Sequence, residues 1–254
     1  MSHSTNCSPI TSTKKHGSMK GPYSVQCGAA DARISCVPQS PRLYSTMTVN
    51  TTQSTSTSGS PLKLEHATLE DIPELIEVWY NAFDTPDMLA IWPNTPGVRQ
   101  WWDQANRHDM LHKPREKYLK VVDTRNGRIA AYAKWSLETA EERGPRFPPW
   151  HSDMDPERND AFIEGLEIGR ARLVGGKKNF YLDMLGTHTD YRKMGAARML
   201  IGWGCQMADQ EGAFAYIDAS AEGRPVYEKF GFVDRSDSAR SAAGLASMVR
   251  EPRN

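Results

Sequence analysis

Neither charge is in excess in this 254-residue chain: Lys and Arg together number 31, and so do Asp and Glu. There is no overall positive field to draw in nucleic acid or an anionic membrane surface, so any partner must be recognised locally. Apolar runs are short, none near the roughly 18 residues that cross a bilayer. The first residues also lack the basic-then-apolar layout of a secretory signal. These absences predict a soluble, cytoplasmic protein with no nucleic-acid or membrane partner. Cysteine is scarce as well. Of the four, Cys7, Cys27 and Cys36 fall in a segment without hydrophobic periodicity and only Cys205 lies in a periodic one, which excludes a disulfide framework and metal-ligand spacing. His108 and His112 stand four apart, yet no nearby Glu or third ligand completes a set, so no metal is expected.

Acids are nearly missing from residues 1–60, which Ser, Thr, Gly, Pro and Gln dominate. Asp31 is the only acid there, against Lys14, Lys15, Lys20, Arg33 and Arg42, and Thr51 to Ser60 contains nothing but Ser, Thr, Gln and Gly. Such a composition does not bury enough surface to offset its ordering entropy, and it predicts a disordered tail. The basic balance also suits a mitochondrial transit peptide, with Arg42-Leu43-Tyr44-Ser45 similar to a matrix-processing site, although no amphipathic basic helix accompanies it.

Residues 61–254 carry the patterns of a folded domain. Leu62, Leu64 and His66 alternate as on a strand. Asp71 with Glu74, and Pro73 in the first turn, predict a capped helix whose Ile72, Leu75, Ile76, Trp79 and Phe83 share a face. Pro86 ends that pattern or begins a short helix, and residues 93–117 read as a helix plus a connecting loop. A hairpin follows, Tyr118–Asp123 and Arg128–Leu137 about an Asn126-Gly127 turn, with Ile129, Ala131, Ala133 and Trp135 alternating. Residues 138–154 are charged and Pro-rich, and Pro156–Leu173 reads as a helix carrying Phe162, Leu166 and Ile168; together they predict an inserted lobe. A strand Phe180–Thr187, a helix Gly195–Asp209, a strand Ala213–Ser220, a short helix Arg224–Phe230 and a last strand Ala246–Arg250 complete the chain. The order predicts an α+β or mixed α/β domain.

Between the strand Phe180–Thr187 and the next helix stands Tyr191-Arg192-Lys193-Met194-Gly195-Ala196-Ala197. A small-residue turn at a helix N-terminus leaves backbone N–H groups unpaired and aligned with a dipole that favours negative charge, so this segment reads as an anion site. Arg192-x-x-Gly195-x-Ala197 after an apolar strand resembles the acyl-CoA pyrophosphate motif of the GNAT superfamily of N-acyltransferases. Downstream, Pro225-Val226-Tyr227-Glu228-Lys229-Phe230-Gly231-Phe232 is similar to that superfamily's helix-to-strand signature. The resemblance spans most of residues 61–233 and omits the tail and the lobe. Ala197 stands for the commoner Gly, Thr189 where Pro is frequent, and Ser220 where Asn often opens the last helix.

What the resemblance implies is a GNAT-like twisted mixed sheet flanked by helices, and acetyl-CoA as co-substrate. Backbone amides of Arg192, Lys193, Met194, Gly195, Ala196 and Ala197 would hold the pyrophosphate, and Leu185, Gly186 and Thr187 would pair with the pantetheine arm. The strands Phe180–Thr187 and Ala213–Ser220 would splay into a V that admits the thioester. Tyr227 aligns with the tyrosine that protonates the departing thiolate. Asp183 and Tyr181 share a strand face by alternation, and Asp218 lies on the next strand; Asp183 or Asp218 would handle the amine, deprotonating it directly or through water or binding its ammonium, with Asp183 the first candidate for catalysis and Asp218 and Tyr181 for substrate binding. His188 is expected to be a loop residue, and Cys205 a small buried hydrophobe. Trp101, Trp102, Phe147 and Trp150 would either wall a substrate pocket or pack the lobe onto the domain. The expected activity is direct acetyl transfer to the amine of a small molecule, the insertion being similar to that of fungal-type small-molecule members. A non-catalytic acyl-CoA-binding module and transfer to a protein or peptide amine are the alternatives.

Overall fold

The computed structural model describes residues 60–137, 144–237 and 244–253. The expected tail, its processing site, Cys7, Cys27 and Cys36, and the first part of the charged stretch after the hairpin lie outside the described residues.

Three helices share one local device, a capping residue followed by proline at the first helical position, where its missing N–H would be unpaired anyway. Thr85 Oγ1 accepts from Met88 N–H at the start of α2 (Pro86–Ile91). Thr95 Oγ1 does so from Val98 N–H at α3 (Pro96–His112). Asp155 Oδ1 accepts from Arg158 N–H at α4 (Pro156–Leu173). The first helix, α1 (Ile72–Ala82), departs from expectation. The capping box forms one turn earlier, where Thr68 N–H donates to Asp71 Oδ2 at 2.7 Å and opens a 3-10 turn, Leu69–Asp71. Glu74 instead reaches across to the sheet, its Oε1 accepting from Ile129 N–H at 2.7 Å.

Seven strands form one mixed sheet in the order β1-β2-β3-β4-β5-β7-β6. They are β1 (Leu62–His66), β2 (Glu116–Asp123), β3 (Ile129–Ser136), β4 (Asn179–Thr187), β5 (Phe214–Ala219), β6 (Val233–Asp234) and β7 (Ala246–Arg250). Every neighbouring pair is antiparallel except β4 and β5, which are joined through α5 (Ala196–Gln210). The short α6 (Arg224–Glu228) follows β5.

Alternation along β3 predicts one buried and one solvated face, but all eight of its residues are buried. The reason is that both faces are covered. Ala131, Ala133 and Trp135 join a core beneath α5 with Leu200 and Ile201, while Tyr132 joins a second core with Trp79, Trp102 and Met154 under α1, α3 and the lobe. At Gly204 a Cβ would lie 2.1 Å from the Trp135 ring, so the missing side chain is what lets α5 approach β3 this closely. The lobe is part of this packing. Arg170 on α4 is buried and donates to Asn179 Oδ1 at 2.8 Å, and Leu166 is buried, whereas Ile168 is 49% exposed.

Candidate active site

The site begins where two strands part. β4 and β5 pair only at Asn179–Phe214, Phe180–Ala215 and Tyr181–Tyr216. Beyond Tyr181, β4 stays with β3 alone, through Leu185, Gly186 and Thr187. A register shift opposite Lys134 and Trp135 leaves Asp183 as an extra residue in β4, and such a bulge bends and twists a strand. The result is a V between β4 and β5 with the backbone of Leu182 to Thr187 along one arm.

Past the end of β4, His188 Nδ1 accepts from Asp190 N–H at 3.2 Å and so caps the 3-10 turn Thr189–Tyr191. Thr189 N–H donates to Asn81 Oδ1 at 2.7 Å and Arg192 Nη2 donates to the Ala82 carbonyl at 3.4 Å, which ties the loop to the end of α1. Lys193 adopts φ 64° and Gly195 φ 95°, the left-handed conformations that turn consecutive amides outward ahead of α5. The N–H groups of Lys193 and Gly195 have no hydrogen-bond partner among the described residues. Open space lies over Gly195, Ala196 is buried in the core, Ala197 is half-buried, and Arg192, Lys193 and Met194 are exposed. These residues fit a pyrophosphate: an outward turn of free donors, a helix dipole behind it and two cationic side chains. Thr187 Oγ1, at the end of the open strand arm, is a buried polar atom with no partner among the described residues.

Four of the expected chemical residues, Asp218, Tyr181, Asp183 and Tyr227, line a single cavity of about 440 Å³ in the V. Asp218 accepts from Tyr216 Oη at 2.7 Å and from Tyr181 Oη at 3.0 Å, with Ser247 Oγ at 3.4 Å. Burial lifts its carboxyl to about 6, against the lowering effect of the Tyr216 hydroxyl, Arg146 and Tyr181. Tyr227 is 6% exposed, and its hydroxyl has no partner among the described residues; burial raises the phenol above its ordinary range. Ser220 Oγ accepts from Gly223 N–H at 3.2 Å, doing for the turn into α6 what an Asn cap would.

Asp183 has a different setting. Its carboxylate is buried, 3.2 Å from Lys134 Nζ, and accepts from Arg146 of the lobe. Lys134 also meets Asp109 of α3 at 2.6 Å and Glu116 of β2 at 3.9 Å, and Arg146 meets Glu167 of α4 at 3.5 Å. The network links α3, three strands and the lobe around one wall of the site.

Sequence patterns did not reveal Lys134, Arg146, Tyr216 or the aromatic wall. The cavity is walled by Trp79, Phe83, Trp92 and Phe162. Trp101, Trp102, Phe147 and Trp150 do not line it; they stack on one another, with Trp101 and Trp150 centroids 5.5 Å apart, and pack the lobe onto the domain. A Trp or Phe looks the same in sequence whichever surface it meets. Arg146 stands in an aperiodic Pro-rich stretch, and only the surplus of buried acids around it hints at a needed cation. Cys205 is buried in α5 away from the cavity, its thiol raised to about 11 by burial. The rings of His108 and His112 lie 4.9 Å apart on α3. Among the described residues no His, Cys, Asp and Glu cluster is placed to hold a metal ion, and no helix is long and apolar enough to cross a membrane.

Residues 161–248, from within α4 through β5 and α6 to β7, match the family model described as an acetyltransferase (GNAT) domain. That match, over less than half of the chain, supports on this fold an acyltransferase; GNAT acetyltransferases use acetyl-CoA as co-substrate. Among solved structures, the C-terminal condensation domain of Ebony in complex with beta-alanyl-dopamine is 14% identical with TM-score 0.55, covering 75% of this chain and 98% of its own. Arylalkylamine N-acetyltransferase 2 from Aedes aegypti is 16% identical with TM-score 0.53, covering 76% and 99%. A Corynebacterium glutamicum structure described as histone acetyltransferase HPA2 and related acetyltransferase is 17% identical with TM-score 0.50, covering 76% and 97%. No curated protein sequence matches the chain at a significant level.

Proposed function

We propose that the chain transfers acetyl from acetyl-CoA to the primary amine of a small molecule by direct attack in a ternary complex. The similar structures include proteins described by small-molecule and by histone acceptors, so they do not choose between acceptor classes. What carries the reading is the arrangement of Asp218 and Tyr227 on one cavity, at the point where β4 and β5 part.

The co-substrate supplies an acyl group on a good leaving thiolate. Amides of Lys193, Gly195, Ala196 and Ala197 bind its pyrophosphate, those of Arg192 and Met194 being taken by the Thr189 and Tyr191 carbonyls, and the open arm of β4 at Leu185, Gly186 and Thr187 pairs with the extended pantetheine as an added strand would. A β4 backbone N–H near Leu185 polarises the thioester carbonyl. Asp218 is held by the hydroxyls of Tyr181 and Tyr216; it binds the ammonium group and takes the proton that the amine must lose. Tyr227 donates its hydroxyl proton to the departing sulfur, a step suited to a phenol kept neutral by burial. Asp183 is reassigned from base to positioning residue, because its negative charge is already neutralised by Lys134 and Arg146, leaving little drive to take a proton.

The test is release of free thiol from acetyl-CoA against a panel of primary amines, with thermal stabilisation by CoA measured in parallel. Turnover with at least one amine and a loss of roughly 100-fold or more in kcat for Tyr227→Phe are expected. CoA binding without turnover by any amine would leave an acyl-CoA-binding module, and no CoA binding would remove both readings.

A further inference from the structure

The walls of the cavity differ sharply in character, and the difference selects among amines. Its apolar side is assembled from distant segments: Trp79 on α1, Phe83 just after it, Trp92 after α2, Phe162 on α4 and Met184 on β4. The rings form a continuous lining. Trp79 lies 5.3 Å from Phe83 and 5.7 Å from Trp92, and Trp92 lies 5.6 Å from Phe162 in an edge-to-face contact. Asp218 lines the same cavity, as do the exposed acids Asp87 and Glu222. Arg146 is the only cationic residue among the described residues that line the cavity, and its guanidinium is engaged by Asp183 and Glu167.

Resting on the acetyltransferase reading above, we infer that the acceptor is a monocationic primary amine with an aromatic or comparably bulky apolar body and no carboxylate beside the amine. Asp87 and Glu222 draw the ammonium in, and Asp218 receives it. The body lies against Trp79, Trp92 and Phe162, whose ring faces also favour the nearby positive charge. A carboxylate next to the amine would face Asp218 and Glu222 without a free cation to meet it. A polyamine would have to strip water from a second ammonium against the aromatic wall, a cost that a cation–π attraction of about 0.5–2 kcal/mol offsets only in part, and a peptide would bring amide groups there without partners.

Full-length protein is assayed for thiol release with acetyl-CoA against phenethylamine, propylamine, free phenylalanine, spermidine and a tripeptide with a free N-terminus. Phenethylamine is expected to exceed each of the others in kcat/KM by roughly tenfold or more. Phe162→Ala is expected to shrink the phenethylamine-to-propylamine ratio about tenfold, chiefly through KM, with CoA binding by calorimetry reporting that the variant is folded. Preference for spermidine, phenylalanine or the peptide would overturn the inference while leaving acetyl transfer standing. So would a preference for octanoyl-CoA over acetyl-CoA that Phe162→Ala abolishes, since the aromatic side would then hold the acyl chain. Failure of every amine with CoA still bound would instead bring down the acetyltransferase reading beneath it.

Discussion

Asp218 is the residue at which structure, stability and chemistry meet. Its carboxyl is raised to about 6, so between about pH 4 and 6 the folded chain holds a proton that the unfolded chain has lost. Folding stability contributed by this group therefore falls as pH rises through that window and is lowest above it. Asp218→Asn removes the burden of an ionised buried carboxylate, and thermal denaturation at pH 7 should show a variant at least as stable as the parent, by up to about 3 kcal/mol if the full shift is recovered. Activity should move the other way. The kcat/KM of the parent should rise with pH through an apparent pKa near 6 as Asp218 ionises, and the variant should lose roughly 100-fold and that acid limb together. A limb that survives in Asp218→Asn would assign the proton to another group. At this scale the proposed CoA and acid residues, Arg192 to Ala197 and Tyr227, stand in contiguous local order in the sequence, whereas the partners of Asp218 do not. Tyr216 is visible as a strand residue, but that its hydroxyl and that of Tyr181 converge on Asp218 depends on the register of β4 against β5.

Elements set where those residues can act. The N-terminus of α5 gathers unpaired amides, and Met194, 42% exposed, projects from the turn before it. Met194→Glu adds a carboxylate beside the proposed pyrophosphate site without disturbing a core, so the denaturation midpoint should stay within experimental scatter while the Kd for CoA weakens about tenfold or more at low salt, less at high salt. The other side of the same helix is tested at Gly204. Replacing it with Ala improves helix propensity by about 1 kcal/mol, but the new methyl would sit 2.1 Å from the Trp135 ring. Overpacking should dominate, for a net loss of about 1–3 kcal/mol read from urea titration. The strand and helix boundaries were largely legible because periodicity and caps followed by proline are local signals. The cap assigned to Asp71 and Glu74 was not, because both acids satisfy partners elsewhere: Asp71 receives Thr68 N–H and Lys120 Nζ, and Glu74 receives Ile129 N–H.

Across the whole molecule, Lys134 is the hinge of the charge balance that holds the lobe, α3 and the sheet in one arrangement around the cavity. It is 5% exposed, in a strand buried on both faces, with Asp109, Glu116 and Asp183 around it. Burial works to raise the Asp109 carboxyl, but Lys134 and Lys113 overcome it and hold the group below its ordinary range. Stability from Asp109 is thus fully present above the ordinary carboxylate range and is lost as pH falls through the lowered value. Lys134→Met would fill similar volume yet leave Asp109 to Lys113 and Asp183 to Arg146 with one buried cation fewer among them, and removing one partner of a buried ionic cluster costs about 3–5 kcal/mol. Guanidinium titration at pH 7 should show a loss of that size. The sign of its pH dependence is the sharper test. With the ammonium gone, burial and mutual repulsion raise the acids, so the variant binds more protons folded than unfolded and regains stability as pH falls from 7 towards 5, where the parent gains nothing from this cluster. The gap between the two proteins should therefore narrow on acidification. A gap that is constant with pH would mean that Lys134 contributes packing alone, and that the lobe is held in place by its aromatic contacts rather than by charge.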